Sequence, residues 1–254
     1  AVAVVRATGE EIFYDVINGM AVLENDIILG THDEVQAFGI EPLEVGPEDD
    51  GDAICSTVEN CSLITTDTRR KWTDGIVPYT IQTGSSNAAR RDIVDAIEDW
   101  ETKTSIRFVE RSNERDYIEF EGVGGSICSS RLGRSGGRQA VRFVAGGNCL
   151  IHEIGHAMGL SHEQNRNDRD QFVTIDFSNV AGNFASQYRI ASTSTDVGDY
   201  DFRSVMHYQA FQFGIDRNRP VIIPRDPNIP LSDVGGVSRL SPGDVEGIEF
   251  VYGD

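Results

Sequence analysis

His152-Glu153-Ile154-Gly155-His156-Ala157-Met158-Gly159-Leu160-Ser161-His162-Glu163 is the stretch from which the rest of the chain is best read. On an α-helix, residues four apart are separated by about 400° of rotation, so His152 and His156 point the same way one turn apart and both imidazoles reach one ion. Glu153 lies beside them, off the ligand line. Gly159 follows His156 by three residues; a glycine there takes positive φ at low cost, ends the helix and turns the chain so that His162 returns to the same ion. Three neutral imidazoles on one catalytic Zn²⁺ leave a position open for water, whereas a structural zinc is closed by a fourth strong protein ligand. Such a site lowers the pKa of the water, and Glu153 is the expected general base. A His-x3-His pair alone also arises by accident on helix surfaces; the third histidine, at the right step after a glycine, separates this stretch from that accident.

Working outward, the segment from Trp72 to the histidines has the texture of an α/β domain. GIVPYTI (75–81) is a strand-length run of β-branched and aromatic residues. A helix is expected from about Ala88 to Lys103, with Ile93, Ala96, Ile97 and Trp100 recurring at three- and four-residue steps on one face. Strands are expected at 106–110, 117–122 and 139–144, giving a helix on a mixed sheet. Before Trp72 the chain is different. Residues 1–66 carry 14 acidic side chains and one basic one, Arg6. The first 45 residues mix short apolar runs (12–17 and 21–30) with turn residues such as Asn18-Gly19, and read as strands and turns of a small, weakly cored segment. From Glu41 to Asp74 the chain is polar and turn-rich, and reads as a linker that proteases reach.

Composition excludes several classes of function. A chain of 254 residues with 39% hydrophobic composition buries a real core. Lys and Arg total 22 against 41 Asp and Glu, a formal charge of -19 that repels nucleic acid and anionic lipid surfaces. No apolar run reaches the roughly 20 residues of a membrane-spanning helix. The amino terminus is not an intact signal peptide, so the numbered chain is expected to be soluble, with any export signal already removed. Four cysteines, Cys55, Cys61, Cys128 and Cys149, are an even count that fits two disulfides in an oxidising compartment, and their spacing matches no common zinc ribbon.

HEIGHAMGLSHE (152–163) resembles the metzincin pattern HExxHxxGxxH, and Glu163, directly after the third histidine, is the hallmark of the astacin metalloproteases. Ser204-Val205-Met206-His207-Tyr208 is similar to that family's Met-turn, SxMHY. The resemblance extends through EQNRNDRDQFVTID (163–176), KWTDGIVPYTI (71–81) and ETKTSIRFVERSNERDYIEF (101–120), and covers about residues 63–252. It implies a two-lobed α+β catalytic domain with a twisted mixed sheet and a zinc helix, the metal lying in the cleft between the lobes. It further implies Met206 beneath the metal site, Tyr208 as a swinging fifth ligand that stabilises the oxyanion, and a disulfide joining Cys128 to Cys149. Ser105 stands where many animal members have a cysteine, so one family disulfide is missing.

The same resemblance divides the chain into an inhibitory prosegment and linker, 1–62, and a peptidase domain, 63–254. Astacin prosegments hold the enzyme latent through an aspartate in a motif close to FxGD that occupies the metal in place of water. Leu23-Glu24-Asn25-Asp26-Ile27 is the nearest match, making Asp26 the candidate; a thiolate from Cys55 or Cys61 is the alternative ligand. A mature amino terminus near Leu63, produced by an activating protease cutting within residues 60–71, is expected to contact Glu163. The function implied is a secreted, monomeric zinc endopeptidase acting on protein or peptide substrates, with no nucleic-acid or membrane partner. The alternative is a catalytically inactive zinc-containing binding or structural module of the same fold.

Overall fold

The computed structural model describes residues 1–4, 11–23, 25–38, 63–64, 68–124, 128–190 and 195–253. Its first strands, β1 (Val2–Val4) and β2 (Glu11–Phe13), pair antiparallel. A second antiparallel sheet follows from β3 (Asp15–Ile17), β4 (Met20–Leu23) and β5 (Ile27–Thr31). Asn18 and Gly19 form the β3–β4 turn at φ 51° and 78°, the two-residue hairpin geometry whose twist matches that of the strands. Helix α1 (His32–Phe38) then packs Val35 onto Tyr14 and Ala21. Thr31 and Glu34 cap its start reciprocally: Glu34 Oε2 accepts the Thr31 N–H at 3.0 Å and Thr31 Oγ1 accepts the Glu34 N–H at 3.2 Å. This segment is thinly cored, as expected.

The main sheet is four-stranded, in the order β10-β9-β7-β8, formed by β7 (Ile76–Ile81), β8 (Arg107–Glu110), β9 (Tyr117–Val123) and β10 (Arg138–Val144), with β6 (Leu63–Ile64) preceding them in the chain outside this sheet. All four strands run parallel. The antiparallel part of the expected mixed sheet is a single bridge, Ser129 to Arg142, which adds residues 129–130 along the edge of β10. Helix α2 (Asn87–Lys103) is capped by Ser86, whose hydroxyl accepts the Ala89 N–H at 3.1 Å. Its Ile93, Ala96 and Trp100 are buried in one core with Ile118, Phe120, Val141 and Phe143 of the sheet, and Ile97 packs against that core.

Helix α3 (Leu150–Met158) packs against β10 and α2 and contributes Ile154 and Met158 to this core. Beyond it regular structure thins out: β11 (Val173–Ile175) pairs with β13 (Ile222–Pro224), β12 (Thr195–Asp196) pairs with β6, and a second core gathers Val173, Tyr188, Tyr200, Tyr208, Val221 and Ile222. These two cores are the two lobes. The last helix, α4 (Pro242–Tyr252), returns to the first core through Ile248 and Tyr252. There Tyr252 OH donates to Met158 O at 3.0 Å and Trp72 Nε1 donates to Ala157 O at 2.9 Å, so both ends of the domain are tied to the end of α3.

The linker expected from Glu41 to Asp74 lies largely outside the described residues, as do Cys55 and Cys61. Its described end is not free chain. Arg134 donates to the carbonyls of Arg69, Arg70 and Lys71 at 2.9, 2.7 and 2.9 Å, Arg70 donates to Leu132 O at 3.1 Å, and Trp72 is buried. Arg69, Arg70 and Lys71, which fall within the linker expected to be open to proteases, are therefore held against the loop at 132–134. Their backbone would have to leave that loop to enter a protease. Among the described residues no helix is long and apolar enough to cross a membrane.

Candidate metal centre

Helix α3 starts at Cys149, which is bonded to Cys128 with Cα atoms 6.4 Å apart, so the disulfide ties the helix to the edge segment 128–130. It ends at Gly159, whose φ of 108° only glycine adopts cheaply. The reversed chain is secured by Leu160 N–H donating to Gly155 O at 2.9 Å and by His156 Nδ1–H donating to Leu160 O at 2.7 Å. That turn delivers His162 to the face already carrying His152 and His156, with ring centroids 4.6 to 5.1 Å apart.

The structure brings Asp26 to the same point. Its carboxylate lies 3.5 Å from Nε2 of His152, 3.5 Å from Nε2 of His156 and 3.3 Å from Nε2 of His162. All four ligand atoms fall within 4.8 Å of one another. Asp26 is held there by its backbone: Ser130 N–H donates to Asp26 O at 3.1 Å and Ile28 N–H to Ser130 O at 2.7 Å, with Ile27 bridged parallel to Ser130. Residues 26–28 thus lie along the segment 129–130 that borders β10.

The donor set fits a zinc ion. Nδ1 of His152 and of His156 is spent on the carbonyls of Val205 and Leu160, at 2.8 and 2.7 Å, so the proton sits on Nδ1 and the lone pair on Nε2. Nε2 of His152 and His162 face each other at 3.2 Å, while Nε2 of His156 and Oδ1 of Asp26 are buried without a hydrogen-bond partner among the described residues. Buried nitrogen lone pairs converging with a carboxylate are stabilised by a cation among them, and three nitrogens plus an oxygen match Zn²⁺. Burial pushes the His156 imidazole down to about 4.

Glu153 sits beside this cluster, buried, with Oε2 unpartnered among the described residues; burial and then the Asp26 charge push its carboxyl well above the usual range. The Tyr208 ring lies 4.6 Å from that of His162, bracketed edge-on by Tyr188 and Phe213 at 5.9 and 5.5 Å. Met206 is fully buried under the helix, and Glu163 N–H donates to its carbonyl at 3.2 Å. Glu163 is buried too: Oε1 accepts the Asp201 N–H at 2.8 Å, whereas Oε2 has no partner among the described residues, and burial pushes its carboxyl well above the usual range.

Three supports of the site are absent from the sequence reading. A Cβ at Gly155 would lie 2.5 Å from Met206 Sδ, so a glycine between the two helical histidines lets the methionine approach. Asp244, at the start of α4, accepts Ser204 Oγ–H at 2.6 Å and Val205 N–H at 2.9 Å while capping its own helix, which latches the turn at 204–206 to that helix. Gln164 Oε1 accepts the Tyr208 N–H at 3.0 Å. Only the second left a local signal, the Ser241-x-x-Asp244 capping pattern.

The sequence pattern of the Astacin peptidase family matches residues 64–253. High choriolytic enzyme 1 of Oryzias latipes is 36% identical over 182 residues, covering 70% of this chain and 66% of that protein. Zinc metalloproteinase nas-14 of Caenorhabditis elegans is 36% identical over 191 residues, covering 71% of this chain and 37% of that protein. The solved structure of high choriolytic enzyme 1, a hatching enzyme zinc-protease, superposes with a TM-score of 0.62 at 34% identity, over 72% of this chain and 92% of that one. The chain therefore spans less than two thirds of the length of these curated relatives.

Proposed function

This chain belongs to the astacin family, and on that premise we propose that it is a zinc-dependent endopeptidase held latent by its first 62 residues. The observation that carries the reading is the convergence of Asp26 with His152, His156 and His162 within 4.8 Å, beside a buried Glu153. His152, His156 and His162 would hold a zinc ion, joined by Asp26 in the latent chain; once Asp26 has left, the bound ion would supply a Lewis acid and make water acidic enough to attack at neutral pH. Glu153, buried beside the histidines, takes the proton from the attacking water and later passes it to the leaving amine. The Tyr208 phenol donates to the carbonyl oxygen as negative charge develops on it. Met206 and Gly159 hold the histidines in place from below and from the turn.

Latency follows from Asp26 taking the place where water and substrate carbonyl belong, while residues 26–28 cover the Ser130 edge. Removal of residues 1–62 by an activating protease, cutting within residues 60–71, frees both. The new amino terminus reaches Glu163, whose unpartnered Oε2 is a buried acceptor suited to an ammonium group. With Arg69, Arg70 and Lys71 tied to Arg134, the cut falls on the amino-terminal side of that run. Secretion, protein or peptide substrates and a monomeric state complete the proposal; the Cys128–Cys149 disulfide supports an oxidising compartment. The test is hydrolysis of a denatured protein by the full-length chain before and after limited proteolysis, with and without chelator. Activity should appear only after cleavage and vanish with chelator. Processed, zinc-loaded protein that cleaves nothing would leave a binding or structural module as the remaining reading.

A further inference from the structure

Two residues without an assigned role stand against Tyr208. The Tyr200 hydroxyl lies 2.6 Å from Nε2 of His207, and Nδ1 of His207 lies 2.6 Å from the Tyr208 carbonyl oxygen. With a neutral ring, Nδ1–H donates to the carbonyl, which accepts only, and Tyr200 O–H donates to the Nε2 lone pair.

The Tyr208 backbone is gripped from two further sides. Its N–H is held by Gln164 at 3.0 Å, and Gly235 packs so closely that a Cβ there would lie 2.5 Å from both the His207 and the Tyr208 carbonyl oxygens. Tyr200 itself is stacked on Phe172 at 5.1 Å, and the Asp201 N–H beside it is bonded to Glu163 at 2.8 Å. The Tyr208 main chain is therefore held at its N–H and at its carbonyl.

We propose that Tyr200 and His207 are positioning residues for Tyr208: the relay Tyr200 O–H to His207 to Tyr208 C=O sets the hinge about which the phenol turns between its resting place and the metal. This rests on the reading that Tyr208 acts in the reaction. Losing a buried hydrogen bond of this kind is worth about 0.5–1.5 kcal/mol, up to roughly tenfold in rate when the geometry of a reacting group depends on it.

The test uses the full-length chain after limited proteolysis, as wild type, Tyr200→Phe and Tyr208→Phe. It reads kcat and KM on a peptide, zinc content, and the phenolate-to-metal charge-transfer absorption of the copper(II)-loaded protein. Tyr200→Phe should keep its zinc and its KM, lose roughly tenfold in kcat, and show a weakened or shifted absorption. Unchanged kcat and absorption in Tyr200→Phe, with both lost in Tyr208→Phe, would overturn the positioning role alone. Loss of zinc by Tyr200→Phe would also overturn it, by making Tyr200 a structural support. Full kcat and absorption in Tyr208→Phe would instead overturn the reading beneath it.

Discussion

Asp26 lies in the turn just before β5 and His162 in the chain that reverses after the metal helix, yet Oδ2 of the one lies 3.3 Å from Nε2 of the other. A carboxylate so placed among three imidazoles occupies the position a hydrolytic site needs for water. Asp26→Ala should therefore give a full-length chain with measurable peptidase activity or faster self-processing, while Cys55→Ala and Cys61→Ala leave latency unchanged. A fluorogenic peptide assay on the three intact variants checks this. Release by either cysteine variant, or activation of the intact chain by a mercurial, would assign latency to a thiolate instead.

Glu153 is beside the metal ligands without being one of them. Glu153→Gln should keep one zinc per chain while lowering hydrolysis by about 10²–10⁴-fold, the contribution of a positioned base. Metal analysis alongside kcat on the processed protein separates the two properties. Turnover near wild type would remove Glu153 from the mechanism.

Processing should leave an amino terminus within residues 60–68, because residues 69–71 are bonded to Arg134. Sequencing the amino terminus of the active form reads this directly. Glu163→Gln should then lower the activity of the processed form, because the new ammonium loses its charged partner, while the latent chain loses only the Glu163 contact to Arg166 at 3.4 Å. A terminus before residue 60 or after residue 68 would contradict the boundary.

Gly155→Ala tests the packing beneath the metal. Alanine favours a helix over glycine by about 1 kcal/mol, but its methyl would fall 2.5 Å from the sulfur of a fully buried Met206. Overpacking of this kind costs about 1–3 kcal/mol, so Tm and zinc retention should both fall. Thermal melts with and without zinc would show it; a raised Tm would mean that Met206 moves aside freely.

Much of the fold is legible because its signals are local. The apolar step of Ile93, Ala96, Ile97 and Trp100 marks a helix over 88–103, and the structure has one over Asn87–Lys103. The strand runs from 75 to 144 are found within a residue or two for the same reason. The convergence of His152, His156 and His162 follows from helix periodicity plus one glycine. Asp26 comes forward only through resemblance, since nothing local ties a turn aspartate to histidines far along the chain. Helix α1 escapes the reading although Thr31-x-x-Glu34 is a capping pattern, because seven residues are too few to show a periodicity. The parallel order of the sheet, the Asp244 latch and the Tyr200–His207 relay are products of tertiary packing, with no spacing in sequence to announce them. The linker reading fails at Arg69–Lys71 for a related reason: polar side chains say nothing of the backbone carbonyls that Arg134 binds.

X-ray absorption at the zinc edge of the intact, zinc-loaded chain tests the central claim most directly. The account predicts imidazole nitrogens and carboxylate oxygen at about 2.0–2.2 Å from the metal with no sulfur, and loss of the carboxylate on processing or in Asp26→Ala. A sulfur scatterer at about 2.3 Å, or a coordination sphere unchanged by Asp26→Ala, would contradict it.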